Sequence, residues 1–152
     1  MSPPNTASNP LHSALYQRVQ ASFERQGMMV QLGARLLEVG PGMCELELPY
    51  SDKVTQQQGG FHGGAVGAMA DIAGGYAALT VVPPDMEVTT VEYKINFLAA
   101  FNGGRLLATG RVVRAGKRII VAAATIVHLS DQGERTDCAV MQQTLVPVAK
   151  TY

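Results

Sequence analysis

The sequence predicts an α+β domain in which an antiparallel sheet covers one long buried helix, and three observations carry that prediction. Phe61 to Val82 is a long alanine-rich apolar run with few polar groups after His62, too long and too rich in Ala for a strand. Val88–Ala99, Arg105–Arg114, Arg118–Leu129 and Thr136–Pro147 are rich in Val, Ile, Thr and Leu and are separated by glycine-containing turns. They read as four strands in antiparallel succession at hairpin spacing. Met29 to Pro49 reads as two further strands around Gly40-Pro41-Gly42, the second alternating apolar and acidic residues from Cys44 on, as a half-buried strand does. Strands gathered around one helix leave edges and apolar surface, which favours a homodimer or a larger assembly.

In chain order, residues 1–8 are polar and Pro-rich and read as a flexible N-terminus. Residues 9–152 then form a single domain. Asn9 and Pro10 read as N-cap and first helical residue. Leu11, Leu15, Val19 and Phe23 recur every four residues, predicting a helix to Arg25 that Gly27 closes. Ser51 to Gly60 is a polar loop containing Gln56, Gln57 and Gln58, and Pro83-Pro84 stops the long helix. Gly64, Gly67, Gly74 and Gly75 lie inside that helix, each costing up to ~1 kcal/mol relative to Ala. Something must need the space they leave.

Composition excludes several classes of protein. With 47% apolar and 16% charged residues the chain is globular, and its two cysteines, without a CxxC, argue against a disulfide scaffold or a zinc cluster. Cys44 and Cys138 fall in strand patterns and read as small core residues. His12, His62 and His128 are scattered without metal-ligand spacing, and GxSxG, GxGxxG and P-loop motifs are missing, so no metal or cofactor is expected. Twelve Lys and Arg balance twelve Asp and Glu, which gives nucleic acid no basic field to meet. No apolar run reaches the ~20 residues of a membrane span free of charge or clustered glycine. The first residues lack the basic and apolar regions of a secretory signal. A cytoplasmic protein is the expectation.

The neutral total hides an asymmetry. Glu38 to Glu92 holds eight acids and one base, and Lys94 to Ser130 holds six bases and no acid. Such segregation suggests that the second half meets an anion, unless neighbouring strands simply pair the two sets.

Chemistry concentrates around the long helix. Asp71 lies in its apolar body, and no Lys or Arg occurs between Val54 and Tyr93 to pair with it. Its neighbours one turn away, Gly67, Ala68, Gly74 and Gly75, are all small, as a carboxylate facing a substrate requires. An aspartate that only reaches a backbone N–H is the ordinary alternative. His62-Gly63-Gly64 stands at the helix start, where free N–H groups and the helix dipole favour a developing oxyanion. His62 and Asp71 are nine residues apart, about 13.5 Å along one helix, too far to act on one atom within one chain. If both contribute, a symmetric dimer must bring Asp71 of one copy beside His62-Gly63 of the other. Gln56 to Gln58 precede the helix, Thr89 and Thr90 begin the strand after it, and Arg114-Ala115-Gly116-Lys117-Arg118 is a basic turn able to hold phosphates.

The run Gly60-Phe61-His62-Gly63-Gly64-Ala65-Val66-Gly67-Ala68-Met69-Ala70-Asp71, with the β-rich tail, resembles the hotdog-fold acyl-CoA thioesterases of the phenylacetate-degradation (PaaI-like) type, over roughly Val30 to Val148. The resemblance implies a curved antiparallel sheet wrapped around the helix, a homodimer with two interfacial sites, and often a dimer of dimers. It makes Asp71 the catalytic carboxylate, as nucleophile or as base toward water. Gly63 becomes the N–H donor to the thioester carbonyl, with His62 beside it. Gln56 falls where relatives carry Asn or Gln, and Thr90, or less closely Thr89, matches a residue that assists the water. Gly64, Arg114, Lys117 and Arg118 are assigned to the CoA portion of the substrate. A hotdog 3-hydroxyacyl dehydratase using His62 and Asp71, and a non-catalytic acyl-CoA-binding hotdog protein, are the alternatives.

Overall fold

The computed structural model describes residues 10–152, so the expectations for residues 1–8 and for an Asn9 cap lie outside the described residues. Helix α1 (Pro10–Phe23) follows the four-residue repeat and buries Val19 and Phe23 in the core. A second helix, α2 (Gly27–Leu32), occupies the segment read as the start of a strand. Gly27 therefore opens a helix instead of closing one. Met29 is buried there, and Gly33 ends α2 at φ 76°, in the left-handed conformation that favours glycine. Met, Gln and Leu are good helix formers, and six residues are too few for periodicity to separate helix from strand.

Strand β1 (Arg35–Gly40) pairs with β2 (Met43–Pro49), and a short 3-10 turn (Asp52–Val54) leads towards α3 (Gly63–Leu79). Four strands follow: β3 (Met86–Phe97), β4 (Arg105–Ala115), β5 (Ile120–Leu129) and β6 (Arg135–Ala149). All six form one sheet in the order β1-β2-β4-β5-β6-β3, every pair antiparallel.

That order corrects the expected simple succession. β3 pairs with β6, from Met86 opposite Ala149 to Phe97 opposite Ala139, and not with β4. Residues 98–104 form a crossing between the two, longer than hairpin loops of roughly 2–5 residues. Asn102-Gly103-Gly104 is part of this crossing, with Gly103 and Gly104 at φ 66° and 62°.

The sheet and α3 make the core between them. β2 and β5 bury alternate residues, among them Leu46, Leu48, Ala122, Ala124 and Ile126, against fully buried Met69, Ala70, Ala73 and Ala77 of α3. Gly110 of β4 brings helix and sheet closer still. A Cβ there would run into the backbone of Ala73 and Gly74, so α3 rests directly on the strand. β3 behaves differently. It is an edge strand, and Val91, Tyr93 and Phe97 are exposed on it, with Leu98 just beyond. Both free cysteines are buried; burial pushes the Cys44 thiol up to about 12 and raises Cys138 as well, which keeps both from acting as nucleophiles.

Candidate active site

Asp71 sits midway along α3, half-buried, where the helix faces β3 and β6. Its Oδ1 accepts the Thr90 hydroxyl at 2.7 Å and the Gln143 amide Nε2 at 2.9 Å. Gln143 Nε2 also reaches Thr90 Oγ1 at 3.1 Å and the Asp71 backbone oxygen at 3.4 Å. Among the described residues, Asp71 has no ion pair, and its Oδ2 accepts no hydrogen bond. One carboxylate oxygen is therefore clamped and the other is left for water or a substrate atom. The β3 ladder shifts between Thr90 and Glu92, a bulge of the kind that re-aims a side chain beside a site. Thr89, the weaker alternative, is exposed.

Gln143 is the residue that reading the sequence missed. It is fully buried, facing inward between Met141 and Leu145 of β6, and an amide at a core position is the signal that would have found it. Its Oε1 has no hydrogen-bond partner among the described residues. A Cβ on Gly74 would fall on that same oxygen, so Gly74 is glycine because Gln143 occupies the space. Asp71, Thr90, Ile72, Gly75, Tyr76 and Leu145 help to line a cavity of about 620 Å³, within the ordinary range for ligand pockets.

The start of α3 is a separate place. His62 is its N-cap, and the exposed ring accepts the Gly64 N–H on Nδ1 at 2.7 Å. Gly64, assigned to CoA, thus has its N–H already engaged. The Gly63 N–H has no acceptor among the described residues. Gln56 and Gly63 line a smaller cavity of about 330 Å³ with Phe61, Val66 and Phe97–Phe101. Gln57 and Gln58 are exposed, whereas Gln56 is partly buried and lines this cavity. The chain therefore holds the carboxylate in one cavity and the free N–H in another.

The basic turn lies at the same end of the sheet as Thr90. Thr90 is opposite Leu145, Leu145 opposite Ile120, and Ile120 opposite Ala115. Arg114, Lys117 and Arg118 are exposed and, among the described residues, make no ion pair. Pairing across strands does absorb part of the charge asymmetry, since Glu47 binds both Arg35 and Arg105 at 3.2 Å. It leaves the turn free.

A six-stranded antiparallel sheet around one helix, with a clamped, cation-free carboxylate midway along that helix, defines a hotdog-fold protein. The family model of the thioesterase superfamily matches residues 58–134, half of the chain, and the protein belongs to that superfamily. A crystal structure of a thioesterase family protein from Silicibacter pomeroyi is 40% identical, with a TM-score of 0.86 over 90% of this chain and 99% of that one. The PaaI protein of Escherichia coli, from the phenylacetic acid degradation operon, is 22% identical with a TM-score of 0.81 over 93% and 98% of the two chains, a likeness of fold. Among curated proteins, one provisionally named an esterase in Saccharolobus solfataricus is 38% identical over 59% of this chain, which spans 64% of that protein. The 1,4-dihydroxy-2-naphthoyl-CoA hydrolase of Listeria monocytogenes is 28% identical over 74% of this chain and 89% of that protein. No helix among the described residues is long and apolar enough to cross a membrane.

Proposed function

We propose that the protein is an acyl-CoA thioesterase that releases the free acid and CoA, acting in the cytoplasm as a single-domain homodimer within a dimer of dimers. The observation that carries this reading is the Asp71 carboxylate, clamped through Oδ1 by Thr90 and Gln143, without a cation, in a cavity of ligand size. The hydrolase from Listeria, which by name acts on a CoA thioester, supports the substrate class.

Neither half-site is sufficient alone, because attack on a thioester needs both a nucleophile and a donor for the oxyanion. The exposed apolar edge of β3 supports the pairing that completes the site. In the completed site, the thioester carbonyl oxygen lies at the N–H of Gly63 of the partner subunit, and Gln56 and His62 of the partner subunit flank it. Two chemical routes are consistent with Asp71. As nucleophile, its Oδ2 bonds to the carbonyl carbon, the carbon–sulfur bond breaks, CoA leaves as thiolate, and water then hydrolyses the mixed anhydride. As base, Oδ2 takes a proton from water held by Thr90, the resulting hydroxide attacks the same carbon, the carbon–sulfur bond breaks, and CoA again leaves as thiolate. Arg114, Lys117 and Arg118 supply positive charge to the CoA phosphates, a weaker role at an exposed turn.

The test is thiol release from a panel of acyl-CoAs by wild type and by Asp71→Asn, a change that keeps Oδ1 as acceptor for Thr90 and Gln143. Hydrolysis that collapses in the variant supports the reading; equal activity in both overturns the assignment of Asp71. A single turnover in ¹⁸O-labelled water identifies the nucleophilic route when water opens the anhydride at the Asp71 carbonyl, which puts the label in the Asp71 carboxylate, and trapping of the anhydride by hydroxylamine identifies it when water attacks the substrate carbon.

A further inference from the structure

Gln143 stands where an apolar side chain is the ordinary choice. It is fully buried between Met141 and Leu145 of β6, and its Oε1 has no hydrogen-bond partner among the described residues. A leucine or methionine would fill such a position without an orphaned oxygen, whose burial is unfavourable. What the amide adds is its NH2 group. Turned over, it would set Oε1 against Asp71 Oδ1 and the Asp71 backbone oxygen, acceptor facing acceptor. The NH2 group is therefore held on the Asp71 side.

Two donors converge there on one atom. Asp71 Oδ1 accepts the Thr90 hydroxyl at 2.7 Å and Gln143 Nε2 at 2.9 Å, and Nε2 also donates to Thr90 Oγ1 at 3.1 Å, which holds the hydroxyl in place for its own donation. Two fixed donors on one oxygen are what a developing oxyanion needs. The start of α3 offers less. The His62 ring takes the Gly64 N–H, which leaves the Gly63 N–H as the donor at that point.

This imbalance matters once Asp71 has been acylated. In the mixed anhydride, Oδ2 bridges the acyl carbon and Asp71 Cγ, and Oδ1 is the carbonyl oxygen on Cγ. We propose that Thr90 and Gln143 form an oxyanion cradle around Oδ1, which directs water to Asp71 Cγ and not to the acyl carbon. This deepens the nucleophilic route of the thioesterase reading and rests on it. Asp71 and Thr90 both line the larger cavity, from which water reaches Cγ. The water oxygen bonds to Cγ, one electron pair of the Cγ–Oδ1 double bond moves onto Oδ1, and the two donors hold that charge. The pair then returns and the Cγ–Oδ2 bond breaks. The acid leaves as a carboxylate that carries the former Oδ2, Asp71 keeps the oxygen of water, and both protons of the water pass to solvent.

The experiment is one turnover of benzoyl-CoA by excess enzyme in ¹⁸O-labelled water, for wild type, Gln143→Met and Thr90→Val. Mass spectrometry reads the label in the released acid and in the peptide that contains Asp71, and thiol release is followed alongside. Wild type should place the label in Asp71 and release unlabelled acid. Gln143→Met removes one donor together with the orphaned oxygen, and Thr90→Val removes the other donor. Each should slow breakdown of the anhydride about 10²–10³-fold, the scale of one oxyanion donor. Under multiple turnover each variant should then show a burst of thiol at a rate within about tenfold of wild type, and part of the label should move into the acid. Variants that slow the burst and the steady state equally, with the label still wholly in Asp71, would overturn the cradle and leave Gln143 a structural role. Label in the acid released by wild type would also overturn it, and hydroxylamine trapping would then show whether an anhydride had formed at all. No thiol release from any acyl-CoA of the panel would overturn the thioesterase reading and the cradle with it.

Discussion

The start and the middle of α3 are built for opposite tasks. The start offers a donor: the Gly63 N–H has no acceptor among the described residues, while the His62 ring caps its neighbour Gly64. The middle offers an acceptor: Asp71 has one oxygen held by Thr90 and Gln143 and one without a partner among the described residues. Glycine serves a different purpose at each point. At position 63 a Cβ would lie 3.4 Å from the Phe97 ring, and at 74 it would collide with the Gln143 amide. The comparison teaches that, on the proposed reading, one helix carries both halves of a reaction centre, spaced so that neither half completes the other within its own chain.

The largest break in this comparison comes from removing the acceptor. Asp71→Asn is expected to lower kcat roughly 10²–10⁴-fold if Asp71 is a general base, and further if it is the nucleophile. Far-UV circular dichroism and the melting temperature should stay near those of wild type, since the asparagine Oδ1 still takes both hydrogen bonds. Removing the donor comes next. Gly63→Pro deletes the N–H at the first helical position, where proline is well tolerated. His62 already has the extended backbone, φ −66° and ψ 134°, that a residue before proline adopts. A loss of roughly 10²–10³-fold in kcat is expected, with the fold again intact. An unchanged kcat would remove the helix start from the mechanism.

Smaller effects sharpen the contrast further. Gly74→Ala should cost about 1–3 kcal/mol of stability, because the new methyl overpacks the space held by Gln143. It should also lower kcat more than it raises KM, by disturbing the Asp71 clamp. A melting temperature equal to that of wild type would mean that Gln143 moves aside freely. The smallest effect belongs to the basic turn. Neutralising Arg114, Lys117 and Arg118 together to Gln should raise KM for acyl-CoA by about 3–10-fold at low salt, with kcat unchanged and the difference fading as salt is added.

What the sequence discloses follows the range of the interactions involved. Asp71 stands out locally, since no cation lies within a helical turn of it or anywhere from Val54 to Tyr93. The long helix is legible from its length and alanine content, although its ends move inward to Gly63–Leu79. Non-local pairing is not legible in this way. Nothing within residues 86–105 states that β3 belongs beside β6, because that choice is made forty residues further along the chain. Gln143 is hidden for the same reason. Its inward phase shows only once the register of β6 is known, and its partners Asp71 and Thr90 are 72 and 53 residues away. The α2 helix is missed for a different cause, being only six residues long with a single buried side chain, Met29.

Complementation between copies tests most directly whether the two halves of α3 meet across a dimer. Asp71→Asn and Gly63→Pro chains, carrying different tags, would be co-expressed, the mixed dimers purified, and thiol release from benzoyl-CoA measured beside each parent variant. Random assortment makes half of the dimers mixed, and each mixed dimer holds one intact and one doubly defective site, so the unfractionated mixture should recover about a quarter of wild-type activity. Purified mixed dimers should recover about half. Mixed dimers as inactive as their parents would contradict the shared site and confine both groups to one chain.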